Sequence, residues 1–147
     1  MKFELSVSLL ALKDFSQLEE FLSILKTNKI KYIELPITKL LPNYKIEKKK
    51  IKLFLNILKN YGIKISSLQA IYYGKKLNIL KASQIKKNTS HLKKIIQISK
   101  LLKVKNIIFG SPINRRKNNL SLEKSNINFH NLLLKIEKTL LKNKISF

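Results

Sequence analysis

Lys144 Ile145 Ser146 Phe147 is a short run of alternating polar and apolar residues, and it is the fifth of its kind in the chain. Reading back from it, comparable runs rich in β-branched and aromatic residues lie at Asn106 to Phe109, Ile63 to Leu68, Tyr32 to Ile37 and Phe3 to Leu9. Their spacing of roughly 30 to 40 residues is the length of one strand plus one crossover helix. Between the runs lie stripes of helical period. Leu18, Phe21, Leu22 and Leu25 share one face, as do Ile51, Phe54, Leu55 and Leu58. Leu92, Ile95 and Ile96 form a third stripe, and Phe129, Leu132, Leu133, Ile136 and Leu140 a fourth. Each stripe needs a sheet to cover.

Strands that alternate with single helices pair in parallel, because a parallel neighbour requires a long crossover. The predicted class is therefore α/β, with strands near residues 3–9, 32–37, 63–69, 106–110 and 145–147 in a single domain over 1–147. Local signals agree. Ser16 followed by Glu19 has capping-box spacing and predicts a helix start at Ser16. Gly62 suits the left-handed residue that ends a helix.

Composition excludes more than it assigns. With no Cys in 147 residues, disulfides, thiol catalysis and thiolate metal sites are all absent. No apolar run approaches the roughly 18 residues of a membrane span. Leu5 to Leu12 imitates a short signal sequence, but Glu4 interrupts its start and Lys13 Asp14 follow without a small-residue cleavage site. The expected compartment is the cytoplasm.

The formal charge of +23 has the size of a nucleic-acid signature. Its make-up argues otherwise. Lysine outnumbers arginine 29 to 2, and Lys, Ile and Asn together supply 64 residues against 3 each of Gly, Ala and Pro. The skew runs evenly along the chain and favours A- and T-rich codons, so it reads as genome composition. A readout surface would concentrate its charge and use the bidentate fork of arginine. Lys48 to Lys52 could mark a membrane-surface helix, but the solvent face of a helix explains them more simply.

In parallel α/β proteins function gathers at the C-terminal ends of the strands. The loop after the fourth strand, Gly110 Ser111 Pro112 followed by Asn114 and Arg115, brings together a glycine and an arginine in a chain with 3 Gly and 2 Arg. Gly110 can adopt backbone conformations closed to other residues, Pro112 fixes a turn, and Arg115 offers a planar donor fork for a carboxylate or phosphate. A loop rigidified for packing, with solvated arginines, is the plainer alternative. Glu34 ends the second strand in a chain with 8 acidic residues. It could accept sugar hydroxyls or pair with a strand-end lysine such as Lys31. Gln69 ends the third strand, where its amide could bond a polyol or tie two loops together. His91 and His130 fall within helices, where packing or surface roles outweigh catalysis. Tyr72 and Tyr73 could wall a pocket or simply pack. No phosphate-binding glycine loop, dinucleotide fingerprint, metalloprotease helix or nucleophile elbow occurs.

The succession Ile33 Glu34 Leu35 Pro36, then Ile65 Ser66 Ser67 Leu68 Gln69 Ala70, a helix carrying His91 Leu92, and Ile107 Ile108 Phe109 Gly110 Ser111 Pro112 with Asn114 Arg115 resembles the xylose isomerase-like barrels. That family comprises sugar phosphate isomerases and epimerases. The resemblance spans the whole chain and rests mainly on the fourth-strand loop and on Gln69. It implies a (β/α) barrel of the TIM type, of which this chain holds about the first four βα units and the start of strand five. It also implies proton transfer next to a carbonyl, on a sugar or sugar phosphate, assisted by a divalent metal such as Mn, Mg, Zn or Co. The family's usual metal ligands, Glu, Asp, His and Glu at the ends of strands five to eight, are expected outside this chain. What carries over is a substrate-side rim of Glu34, Gln69, Ser111, Asn114 and Arg115, with no metal ligand and no assigned catalytic residue.

Two alternatives accompany this reading. The same barrel class includes an apurinic endonuclease of the endonuclease four type, which would bind DNA. Its metal-binding histidines sit at the ends of strands three and four, where this chain has Gln69 and Ser111. The second alternative is a non-catalytic half-barrel that covers its exposed edges by pairing with itself as a homodimer or with a complementing half. The expectation for the isolated chain is a truncated, inactive isomerase-like protein.

Overall fold

The structure, a computed structural model, describes residues 4–147, so the expected strand residue Phe3 lies outside the described residues. Three strands form a parallel sheet in sequence order: β1 (Ser6–Ser8), β2 (Tyr32–Pro36) and β3 (Lys64–Gln69). The order continues beyond β3 through single bridges. Leu68 pairs with Ile107 and Asn106 with Ser146, both in parallel. The bonds are short: Ile108 N–H donates to the Leu68 carbonyl at 2.8 Å, and Ser146 N–H to that of Lys105 at 2.7 Å.

β1 and β2 are shorter than the sequence runs that announced them, β3 is displaced by one residue from its run, and the other two are reduced further. In place of strands at 106–110 and 145–147 there are bridges at Asn106, Ile107 and Ser146. After Ile108 the chain turns into the Gly110 Ser111 Pro112 loop, where proline offers no amide to continue a ladder. β3 carries an irregularity of its own. Its register with β2 shifts between Ile33 and Glu34, and Ser66, the extra residue, donates its hydroxyl to the Ile33 carbonyl at 3.0 Å.

Helices α1 (Leu18–Thr27), α2 (Ile37–Leu40), α3 (Lys48–Tyr61), α4 (Ile85–Leu102) and α5 (Leu122–Asn143) fill the connections. The apolar stripes read from the sequence are their buried faces: Leu18, Leu22 and Leu25, then Ile51, Phe54 and Leu58, then Leu92, Ile95 and Ile96, then Leu132 and Ile136. They close over Ile33, Leu35 and Leu68, each wholly buried on the same side of the sheet. None of the helices among the described residues is long and apolar enough to cross a membrane.

Helix ends follow local chemistry, with one departure from the capping-box expectation. Gly62 ends α3 in the left-handed conformation, φ 69°, and its amide returns to the Lys59 carbonyl at 3.0 Å. Ser16 does not cap α1. Asp14 caps instead the 3₁₀ turn over Phe15–Gln17 that leads into α1, accepting from the Ser16 amide at 2.8 Å and from the Ser16 hydroxyl, while Gln17 stands at the start of α1 without a side-chain capping bond. A carboxylate accepts both donors at once, which leaves Ser16 as a donor rather than a cap. Glu19 accepts instead from the Tyr61 hydroxyl at 3.1 Å, linking α1 to α3.

Candidate functional site

The two faces of the sheet differ in kind. Between the buried Ile33 and Leu35 of β2, Glu34 is only half-buried, in register with Ser8 of β1. Two residues further along β2, Pro36 is in register with Gln69. The Gln69 side-chain amide donates to the Ser8 hydroxyl across the intervening strand. Nearer the strand starts, the Ser6 and Ser66 hydroxyls meet at 2.7 Å, and Asn106 donates its amide to the Ser66 carbonyl at 3.0 Å. Ser67, the register partner of Glu34, is buried with its hydroxyl unpartnered. The face opposite the helices is thus lined by hydroxyls, the Gln69 and Asn106 amides and the Glu34 carboxylate, with Glu4 beside Ser6 and Tyr32 at the strand starts.

The loop after the fourth strand sits beside this face. Pro112 opens a 3₁₀ turn over Pro112–Arg115, as its fixed φ predicts. Asn114 is buried, and its side-chain amide donates to the carbonyls of Lys75 at 2.9 Å and Leu77 at 2.6 Å. Its own carbonyl receives the Ile79 amide at 2.9 Å. Asn114 therefore clamps this loop to the one that follows Gln69. Ser111 is buried at the start of the same turn, and its carbonyl accepts from the Asn114 amide at 3.1 Å. Arg115 is exposed, with its guanidinium 5.7 Å from the centre of the Phe109 ring. Gly110 does not adopt a left-handed φ, and a side chain added there would meet nothing within 4 Å. Its freedom is spatial rather than conformational.

The structure brings Glu34 and Gln69 together with Ser8 on the sheet. It groups Ser111, Asn114 and Arg115 on one turn, joined to the Gln69 loop through Asn114.

Beneath that loop lies a buried polar network. His91 packs edge-on against the rings of Tyr44 and Tyr72, with centroids 4.8 and 4.7 Å away. Its Nε2 is 2.6 Å from the Ile71 carbonyl. A carbonyl only accepts, so Nε2 carries the proton. Burial pushes the His91 pKa below its ordinary value, and the Lys75 and Lys94 charges push the same way against the Ile71 carbonyl. The Tyr44 hydroxyl donates to the Ala70 and Tyr73 carbonyls at 3.1 and 2.9 Å. The Tyr72 hydroxyl donates to the Asn88 side chain at 3.0 Å, and Asn88 donates in turn to the Asn78 and Gln84 carbonyls. Burial raises both phenols well above their usual range. Tyr72 is thus a packed support rather than a pocket wall, whereas Tyr73 is exposed.

The sequence reading missed Ser8, Tyr44 and Asn88 altogether and assigned His91 only a packing or surface role. Asn88 and His91 stand in line with Leu92, Ile95 and Ser99 on one face of α4, and that placement on an apolar stripe was the available signal.

No group of three His, Asp or Glu among the described residues could hold a metal ion. Glu34 is a single carboxylate, and the His91 Nε2 is occupied by Ile71. The described residues do not fit a divalent cation site of their own.

Comparison with solved structures defines the fold class. The chain superposes on a sugar phosphate isomerase/epimerase from Parabacteroides distasonis with TM-score 0.71 and 16% identity, covering 97% of this chain and 49% of that one. For a putative xylose isomerase from Rhodospirillum rubrum the values are 0.69 and 15%, over 99% and 52%. For D-psicose 3-epimerase from Clostridium cellulolyticum they are 0.64 and 10%, over 99% and 51%. No protein-family model matches the sequence, and no curated protein does. The fold is that of one half of a xylose isomerase-like TIM barrel, and the chain spans about half the length of these structures.

Proposed function

We propose that this chain is the substrate-facing half of a sugar phosphate isomerase or epimerase, a single partial barrel domain over residues 1–147. The observation that carries the reading is the polar inner face. Parallel strands buried on both faces are apolar nearly throughout, yet here Ser8, Glu34 and Gln69 align at the C-terminal edge of a barrel whose structural neighbours include a sugar epimerase. Sugars present alternating donors and acceptors, and this set matches them. Glu34 accepts from substrate hydroxyls, and Gln69, held by Ser8, donates to or accepts from another. Arg115 supplies the donor fork for a phosphate, and Ser111 and Asn114 set the position of its turn. The ligands that would hold a divalent metal, and the acid and base that would move the proton, are expected on the remaining strands of such a barrel, and the metal would polarise the substrate oxygens. Residues 4–147 alone bind without turning over.

The test is titration of the isotope-labelled chain with ketose and aldose phosphates, followed by amide NMR, alongside a turnover assay with Mn or Mg. Shifts confined to Ser8, Glu34, Gln69 and Gly110 to Arg115, abolished by Glu34→Gln, are the expected result. Shifts elsewhere, or turnover by the chain alone, would overturn it.

A further inference from the structure

A groove of about 940 Å³ lies between α3 and α4, on the helical layer and away from the Glu34 and Gln69 rim. Its apolar wall is formed by Ile51, Leu55, Leu58, Ile63, Ile65 and Leu102. Five lysines, Lys48, Lys52, Lys59, Lys64 and Lys103, stand around it, and no acidic residue lines it. The N-terminus of α3 adds to the positive field. Its first turn has no acidic residue and begins Lys48 Lys49 Lys50, and Glu47 makes no side-chain capping bond. Lys48 thus stands in the first turn of α3, where the helix dipole adds to the positive field at that end of the groove.

We propose that this groove binds a single-chain anionic amphiphile, a fatty carboxylate, with its tail along the apolar wall and its head among the lysines. Size and charge together select this occupant. The groove is at the upper end of small-ligand pockets. The 14 residues of α3 span about 21 Å at the rise of an α-helix, the scale of an extended long acyl chain. A second copy of a chain of net charge +23 would set lysine against lysine. A sugar would leave its hydroxyls facing leucine and isoleucine.

The chain contains no tryptophan, so Asn56→Trp on the exposed lip of the groove provides a fluorescence reporter. Titration of that full-length variant with dodecanoate, below its micellar concentration, is expected to give a saturable blue shift at one equivalent. Acetate gives none. In the same background Leu55→Asp lowers affinity at least tenfold, Lys52→Ala combined with Lys59→Ala lowers it several-fold, and Lys86→Ala combined with Lys124→Ala, outside the groove, leaves it unchanged. Leu55→Gln serves if the aspartate variant does not fold. Equal effects of the two lysine pairs, non-saturable binding, or tighter capture of an acidic amphipathic peptide than of dodecanoate would overturn the proposal.

Discussion

The covered and open faces of the sheet are made of the same strands and obey different rules. On the covered side Ile33, Leu35 and Leu68 are wholly buried, and Ile107 nearly so. On the open side Ser6, Ser8, Glu34, Ser66, Gln69 and Asn106 retain access to solvent. The polar residues still speak to one another, through the Ser6 to Ser66, Gln69 to Ser8 and Asn106 to Ser66 bonds. The hydrophobic effect scales with apolar area removed from water, whereas a solvent-accessible hydrogen bond largely exchanges one partner for another. Stability should therefore reside on one face and recognition on the other.

The most direct way to break this division is to truncate one residue on each side of the same strand. Leu68→Ala removes a fully buried side chain and is expected to cost about 2–5 kcal/mol. Gln69→Ala, its neighbour, loses the bond to Ser8 and is expected to cost about 1 kcal/mol or less. Urea denaturation of the two variants measures both. Comparable losses would show that the open face also carries the fold.

A second, smaller effect separates the buried network from both faces. Burial lowers the His91 pKa from 6.5, so the folded chain favours the neutral ring more than the unfolded chain does. The unfolded chain then binds more protons in the interval below pH 6.5, so stability rises with pH there and falls as pH drops toward the folded value. The contribution is complete above pH 6.5. His91→Gln is expected to cost about 1–3 kcal/mol at pH 7.5 through the packing and the bond to Ile71, and to flatten the slope below pH 6.5. Urea midpoints measured across that range decide it. An unchanged slope would place the titrating group elsewhere.

The covered face was legible in the sequence because apolar period is a property of the chain itself. Leu18, Leu22 and Leu25, or Ile51, Phe54 and Leu58, announce both a helix and the side it buries. Glu34 and Gln69 were visible as polar residues where an apolar strand ends. The links among polar residues were not, since they depend on register. Gln69 finds Ser8 only because the bulge at Ser66 sets β3 against β2. Asn114 holds the carbonyls of Lys75 and Leu77, a relation between two loops that no local pattern records. The fourth and fifth strands were overdrawn for a related reason. Their runs have strand composition, but pairing is a tertiary outcome, and only Asn106, Ile107 and Ser146 form bridges.

The smallest expected effect sharpens the comparison most. Gly62 and Gly110 are both glycines at element ends, but only Gly62 needs a left-handed backbone, at φ 69°. Gly62→Ala is expected to cost about 1–2 kcal/mol, the strain of that conformation in a residue with a side chain. Gly110→Ala meets nothing within 4 Å and has no such strain, so it should be neutral or stabilise by up to about 1 kcal/mol by restricting the unfolded chain. Thermal denaturation of the two variants reads that contrast. If Gly110 is bare so that a ligand can approach the backbone beside Ser111, the alanine variant will keep or gain stability while weakening sugar phosphate binding. A loss of stability without any change in binding would assign Gly110 to packing, and the fourth-strand loop would then belong with the covered face.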